Sequence, residues 1–215
     1  NTTNVPELDP RVVPSELGNL IVTQEVVEKK IKGLKQSKSP GPDGIHNKLL
    51  VEVGNLLCEP LAKIFQKSIE SGTVPQEWKV ANVTPIFKSG DKKEPGNYRP
   101  VSLTSICSRL LEGIVKEHIM NHMENNNLFS KHQFGFRKGH SCVTQLLQIF
   151  EEWSSIIDNN NALDVIYLDF RKAFDTVPHQ RLLNKMKAYG FKGKILEWVD
   201  HFLSERKQRV VVNGK

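Results

Sequence analysis

Apolar residues fall at helical spacing over most of the chain. Val27, Ile31 and Leu34 recur at i, i+4 and i+7 after Thr23, which predicts a helix. Its other face carries Lys29, Lys30, Lys32 and Lys35, with Lys38 just beyond. Such a stripe is either a solvated face or a phosphate-contacting one. Leu49, Leu50, Val53, Leu56 and Leu57 start a second helix that Pro60 should kink or split. Ile64 and Phe65 carry its stripe on towards Gly72. Ile106, Leu110, Ile114 and Val115 mark a third. Val143, Leu146, Leu147, Phe150, Trp153 and Ile157 mark a fourth, with Ser141 as its N-cap. Leu182, Leu183 and Met186 mark a fifth that ends at Gly190, and Ile195, Leu196, Val199, Phe202 and Leu203 a sixth. Strands are predicted over about 80–87, 98–103, 163–169 and 208–212. The first twenty or so residues carry Pro6, Pro10 and Pro14 and read as a linker or extended arm.

Several stretches suggest chemistry. The apolar run Val165, Ile166, Tyr167 and Leu168 leads straight into Asp169, followed by Phe170, Ala173, Phe174 and Asp175. A short apolar run after the loop residues Asn159, Asn160 and Asn161 reads as a buried strand. A carboxylate at the end of such a strand is desolvated on one side, and a cation usually sits opposite it. Alternatively, it begins a turn or caps a helix. Phe174 taken alone reads equally well as a core aromatic. Ser39 to Gly44 holds Pro-Gly and Pro-Asp-Gly, a turn whose backbone amides can hold a phosphate. Lys88 and Arg99 flank SGDKKEPGN, which reads as a mobile hairpin tip. Phe134, Phe136, Arg137, Lys138 and His140 interleave rings with charge, which suits base stacking beside backbone contact.

Composition narrows the class. A length of 215 residues suits one large domain or two small ones, and 38% apolar content supports a core. The net charge of +6 and pI near 9.2 fit a polyanion partner without demanding one. Cys58, Cys107 and Cys142 are odd in number and far apart, which favours free thiols in a reducing compartment. The Asn1-Thr2-Thr3 sequon is then idle. No apolar run approaches the ~20 residues that span a bilayer, and no signal peptide precedes the pattern. The expectation is an intracellular protein of cytoplasm and nucleus with no membrane partner.

Taken together, these stretches resemble reverse transcriptases, most closely those of non-LTR (LINE-type, jockey-like) retrotransposons. LDFRKAFDTVPH, from Leu168 to His179, is similar to the family's first catalytic motif. SPGPDGI (Ser39 to Ile45) resembles its N-terminal template-contacting loop. WKVANVTPIFKSGDKKEPGNYRPVSL (Trp78 to Leu103) resembles its nucleotide-gripping fingers segment. QFGFRKGHSC (Gln133 to Cys142) is similar to the next block. YGFKGKILEWVDHFLSERKQRVVVNG (Tyr189 to Gly214) is similar to the block before the second catalytic motif. The resemblance implies an α+β right-hand polymerase fold: an arm and basic helix over 1–37, nearly complete fingers over 38–140, a partial palm with the first catalytic motif over 141–177, and fingers/palm helices with a cut hairpin strand over 178–215.

The activity implied is RNA-directed DNA polymerisation by two-metal nucleotidyl transfer. By resemblance, Asp169 is catalytic and bridges two Mg2+ ions, with the backbone carbonyl of Phe170 as a further ligand. Lys88 and Arg99 grip the incoming triphosphate, and Phe174 lies under its sugar and excludes a 2′-hydroxyl. Ser39, Gly41, Asp43, Gln133, Phe136 and Arg137 contact the template, beside which the Lys29–Lys38 stripe would lie. Asp175 takes a structural role, anchoring a turn or helix start. The partners implied are an RNA template, a DNA primer and deoxynucleoside triphosphates.

The family's Gly-x-x-Gln-Gly loop and Tyr-x-Asp-Asp hairpin do not occur. Residue 1 is Asn, the first Met is Met120, and the hairpin turn Asn213-Gly214 has no return strand. The expectation is therefore a fragment, lacking the C-terminal palm and thumb and inactive alone. A second reading is a noncatalytic nucleic-acid-binding remnant of such an element. Two rival sites fail on their residues. His118 and His122 have the spacing of a zinc-protease pair, but Ile119 stands where its Glu is needed, so exposed helix histidines are expected. Gly193-Lys194 is not a phosphate loop, because Ile195 replaces the Ser or Thr and position 188 is Ala.

Overall fold

Thr23 opens the first helix by accepting the Val26 backbone N–H at 3.4 Å, and Val27 and Ile31 turn inward from it. The computed structural model describes residues 15–212. After α1 (Gln24–Lys32) come α2 (Asn47–Glu52), α3 (Gly54–Ser71), β1 (Val80–Phe87) and β2 (Tyr98–Thr104). Then follow α4 (Ile106–Asn125), α5 (Cys142–Asp158), α6 (His179–Ala188), α7 (Gly193–Leu203) and β3 (Lys207–Val210). The main core is helical: Val27 and Ile31 of α1, Phe65 and Ile69 of α3, Leu111 and Ile114 of α4, and Trp198 of α7 pack together. Phe65 meets Trp78 edge-to-face at 5.7 Å, so truncating it to Ala should cost ~3–5 kcal/mol. A smaller cluster of Met123, Leu128, Met186 and Phe191 joins the end of α4 to the α6–α7 turn.

The break expected at Pro60 lies instead at Val53, between α2 and α3. Gly54 explains it: a Cβ there would stand 3.0 Å from Ile31 Cγ2, so the chain turns where α1 presses closest. Pro60 sits inside α3 and forfeits one backbone bond, which the packed stripe on either side tolerates. Gly72, at φ 67°, ends α3, with the Thr73 N–H on the Ser68 carbonyl and the Gly72 N–H on that of Ile69.

The sheet runs β2-β1-β3. β2 pairs antiparallel with β1 from Ala81↔Thr104 to Phe87↔Tyr98, and β3 pairs parallel with β1 from Val80↔Lys207 to Val83↔Val210. The last elements thereby close on the first. Trp198 donates to Ser68 Oγ at 3.0 Å, and His201 Nδ1 accepts the Val74 N–H at 2.9 Å.

Two expectations change. Residues 163–169 are not a strand: the backbone is irregular from 161 to 170 and turns through 176, and Ile166, Tyr167 and Leu168 are exposed. No strand lies beside them among the described residues, so water satisfies backbone groups that a ladder would have paired. The fourth predicted helix does form as α5. Ser141 and Thr144 cap it reciprocally, yet Val143, Leu146, Leu147, Phe150 and Ile157 face solvent. Local signals were enough to wind this helix without a surface to receive it. The strand predicted over 208–212 is placed at Lys207–Val210, and the proline arm and Asn213-Gly214 lie outside the described residues.

The histidine pair also differs from expectation. His122 is 6% exposed, with Nε2 2.8 Å from the Tyr189 carbonyl and its ring against Phe191. His118 Nε2 lies 2.9 Å from the Gly18 carbonyl. Both fasten chain segments together, each through a backbone carbonyl outside the helices. All three cysteines are free, and no helix among the described residues is long and apolar enough to cross a membrane.

Candidate nucleotide and template site

The β1–β2 hairpin sets its two cations. The Lys88 N–H donates to the Asn97 carbonyl at 2.9 Å, and Ile86 pairs with Arg99. Alternation puts Ile86, Lys88 and Arg99 on one face, leaving Phe87 and Tyr98 to meet edge-to-face at 5.5 Å on the other. Lys88 and Arg99 are then diagonal neighbours with Cα atoms ~7 Å apart, close enough to share one polyphosphate. Between them the tip is held by its own bonds. Asn97 donates to the Asp91 carbonyl at 2.9 Å, Asp91 accepts the Lys93 N–H at 2.9 Å, and the Tyr98 hydroxyl donates to the Lys92 carbonyl.

The Ser39–Gly44 turn lies at the far end of β2. Gly41 is buried there, and a Cβ on it would stand 2.3 Å from the Thr104 carbonyl oxygen. The Gly44 N–H donates to the Gly41 carbonyl at 3.1 Å, and Asp43 Oδ1 accepts the Ile45 N–H at 3.2 Å. Ser39 and Asp43 are exposed. Beneath the turn, burial first and the Asp43 charge second push the Cys107 thiol up to about 11. At ~3.3 Å per residue of strand, Arg99 and this turn stand roughly 17 Å apart along β2.

The third group is the loop after α4. Arg137 forks onto Glu124, with Nε 3.0 Å from Oε1 and Nη2 2.8 Å from Oε2. Its remaining donors reach the Ser130 and Gln133 carbonyls, and its plane lies over Phe129 at 5.0 Å. The hydrogen bond from Arg137 holds the Glu124 carboxyl below its usual range. Arg137, read from sequence as a template contact, thus spends its guanidinium on shaping the loop. Gln133 is exposed, and so is Phe136, at 79%, with φ 63°. Phe136 meets Phe174 edge-to-face at 6.2 Å, bringing the loop to the predicted catalytic segment. Neither the Arg137–Glu124 fork nor this ring pair leaves a periodic signal, because both join distant parts of the chain.

Asp169 and Phe170 are exposed on irregular backbone, and the Asp169 carboxylate makes no hydrogen bond or ion pair among the described residues. Asp175 closes a turn through its backbone N–H on the Lys172 carbonyl at 3.0 Å. A family model described as reverse transcriptase (RNA-dependent DNA polymerase) matches residues 90–215. The chain belongs to the reverse transcriptase family. Its relatives include a probable RNA-directed DNA polymerase from transposon BS of Drosophila melanogaster, 34% identical over 78% of this chain and 18% of the relative. The RNA-directed DNA polymerase from mobile element jockey of the same fly is 30% identical over 90% of this chain and 21% of its own length. The probable RNA-directed DNA polymerase from transposon X-element, also of that fly, is 31% identical over 81% and 18%. The chain therefore spans about a fifth of the length of the curated relatives it matches.

Reverse transcriptases as a family use divalent metal. Asp169 and the Phe170 carbonyl are oxygen donors of the type hard cations take, but such ions want about six oxygens each. No group of three metal-ligating side chains exists among the described residues. These residues alone do not fit a two-ion centre.

Proposed function

We propose that this chain supplies the nucleotide grip, template contacts and first catalytic carboxylate of a retrotransposon polymerase that copies RNA into DNA. What carries the reading is the Lys88–Arg99 pair on one face of a self-bonded hairpin, within a chain of the reverse transcriptase family. Arg offers a planar fork and Lys a point charge to the phosphates of a deoxynucleoside triphosphate. Phe174 would stand under the sugar with Phe136 at its edge. Asp169 and the Phe170 carbonyl would contribute oxygens to a Mg2+ site whose other ligands lie beyond the described residues. Ser39, Gly41 and Asp43 would meet the template at the other end of β2, and Gln133 and Phe136 from the loop after α4, with Arg137 shaping that loop. A noncatalytic nucleic-acid-binding role is the second reading, favoured by the want of a metal-ligand cluster among the described residues.

Primer extension on an RNA template, by a polypeptide carrying this chain within the full length of its relatives, tests the proposal. Asp169→Asn should abolish DNA synthesis and leave template binding within about twofold, because the lost charge acts mainly in the transition state. Near-normal synthesis by the variant would remove Asp169 from catalysis. Phe174→Val should raise ribonucleotide use far more than it lowers deoxyribonucleotide use. An unchanged sugar preference would make the ring merely structural.

A further inference from the structure

Asn47 is buried, at 1% exposure, and its amide bonds outside its own helix α2. Its Nδ2 donates to the Lys35 carbonyl at 2.8 Å, and its Oδ1 accepts Arg109 Nη2 at 3.2 Å. An amide serves both at once, whereas a carboxylate has no N–H for the carbonyl and an apolar chain serves neither. Arg109 is half-buried in α4, and the acceptor its guanidinium meets is this neutral amide rather than a carboxylate. The Lys35–Asn47 bond closes the neck of the segment that carries the Ser39–Gly44 turn, in the manner of a compact Ω-loop. The loop is then seated on the β2–α4 junction at two points. Gly41 lies against the Thr104 carbonyl and the Ser105 nitrogen. Asn47 is fixed to Arg109, whose own backbone N–H donates to the Ser105 carbonyl at 3.1 Å. One point of contact would leave the turn free to pivot on Gly41, and two fix its angle. The strand that ends at Thr104 carries Arg99, so the angle is set relative to the hairpin.

We propose that Asn47 and Arg109 are positioning residues, whose clasp sets the angle of the Ser39–Gly44 turn to the Lys88–Arg99 hairpin and so the register in which template meets incoming nucleotide. The inference rests on the polymerase reading and adds to it a pair that acts through the turn rather than on the substrate. Asn47 does not meet RNA itself, since it is closed off from solvent. Its loss would leave a half-buried guanidinium and a backbone carbonyl without their partner, and nothing but the Gly41 contact to hold the turn on the junction.

The test is primer extension on an RNA template by a polypeptide carrying this chain within the full length of its relatives, with circular dichroism verifying each fold. Asn47→Leu, near in size, removes both bonds. It should raise the KM for template about tenfold, the order expected when a buried group loses its partner, and leave the KM for nucleotide within about twofold. Hydrogen exchange of the same polypeptide should quicken about tenfold over residues 36–46 and hold steady in the β1–β2 hairpin. Asn47→Asp keeps the acceptor for Arg109 and loses only the donor to Lys35, so both effects should be smaller. Arg109→Lys keeps a cationic donor and should stay close to the parent, whereas Arg109→Leu should match Asn47→Leu. Asn47→Leu with Arg109→Leu should be no worse than either alone, because the two share one interaction. Additive losses in the double variant would overturn the clasp, as would unchanged template KM and exchange in Asn47→Leu, and either result leaves the polymerase reading standing. Exchange that quickens through the hairpin as well, with both KM values raised alike, would make the pair merely structural. No DNA synthesis by the unaltered polypeptide would remove the polymerase reading and the positioning role with it, while the exchange contrast would still decide whether the clasp holds the turn.

Discussion

Replacing Gly41 with Ala tests how the Ser39–Gly44 turn is held. The new methyl carbon would lie 2.3 Å from the Thr104 carbonyl oxygen, 2.4 Å from its carbon and 2.7 Å from the Ser105 nitrogen. These are backbone atoms of the β2–α4 junction and cannot rotate aside. The methyl falls more than an ångström short of ordinary contact, so the turn must leave the junction or deform it. Overpacking of this kind costs ~1–3 kcal/mol. Cys107 reports which happens, because its thiol is pushed up to about 11 by burial and by Asp43 in this turn. The thiolate is the reacting form, so at pH 8 about one thiol in a thousand is reactive; full release to the ordinary 9.0 would raise that about 100-fold. Cys58 is buried, and Cys142, which is exposed, is first changed to Ser. Alkylation of Gly41→Ala at pH 8, followed by mass spectrometry, should then show Cys107 reacting tens of times faster than in the parent. Gly44→Ala is the control: its φ of 70° is strained for alanine, but nothing lies within 4 Å of the new methyl. It should lose ~1 kcal/mol in urea unfolding and leave Cys107 slow. Equal Cys107 rates in Gly41→Ala and the parent, at unchanged stability, would refute the docking of this turn.

Leu147→Lys and Phe150→Lys on α5 should raise solubility and reduce self-association by light scattering, with stability changed by less than ~0.5 kcal/mol, because both side chains face solvent. A loss of several kcal/mol would show that the helix packs against something. The Arg137–Glu124 fork has a pH signature. Glu124 is lowered from 4.5, so its contribution is present above that value and is lost as pH falls through the lowered one. Hydrogen exchange over 130–138 should therefore rise only in acid, and Glu124→Gln should show the raised exchange already at pH 7.

The sequence carried the helices well where a cap or a stop residue stood beside the period. Thr23, Ser141 and Gly72 each mark a terminus found in the structure. Pro60 misled because a proline inside a well-packed stripe costs one bond, whereas the tight approach at Gly54 forces the turn and has no local mark. The hairpin that carries Lys88 and Arg99 was legible because a turn-rich run lies between two strand patterns, whereas the role given to the two cations comes from the resemblance. The structural use of Arg137 was not, since its acceptor lies in the preceding helix at no diagnostic spacing. His122 looked like a surface residue because the Tyr189 carbonyl that receives it is distant in sequence.

The segment around Asp169 shows why a motif can be plain in sequence and unformed in space. Ordering residues 163–169 costs ~1–2 kcal/mol of backbone entropy for each. Covering Val165, Ile166, Tyr167, Leu168 and Phe170, all exposed, would return ~1.5–3 kcal/mol apiece. Each side comes to about 10 kcal/mol, so neither outcome is favoured until a surface and a strand edge are offered together. Phe174, 83% exposed with the Phe136 ring beside it, is held in the same balance. The backbone of the β1–β2 hairpin and the Gly41 turn differ, because strand pairing and their own hydrogen bonds fix them. The hairpin and the turn are thus built into the fold, whereas the strand expected before Asp169 forms only as it is paired and covered. Any change that strengthens that covering should slow hydrogen exchange over residues 163–169 and leave exchange in the β1–β2 hairpin unaltered.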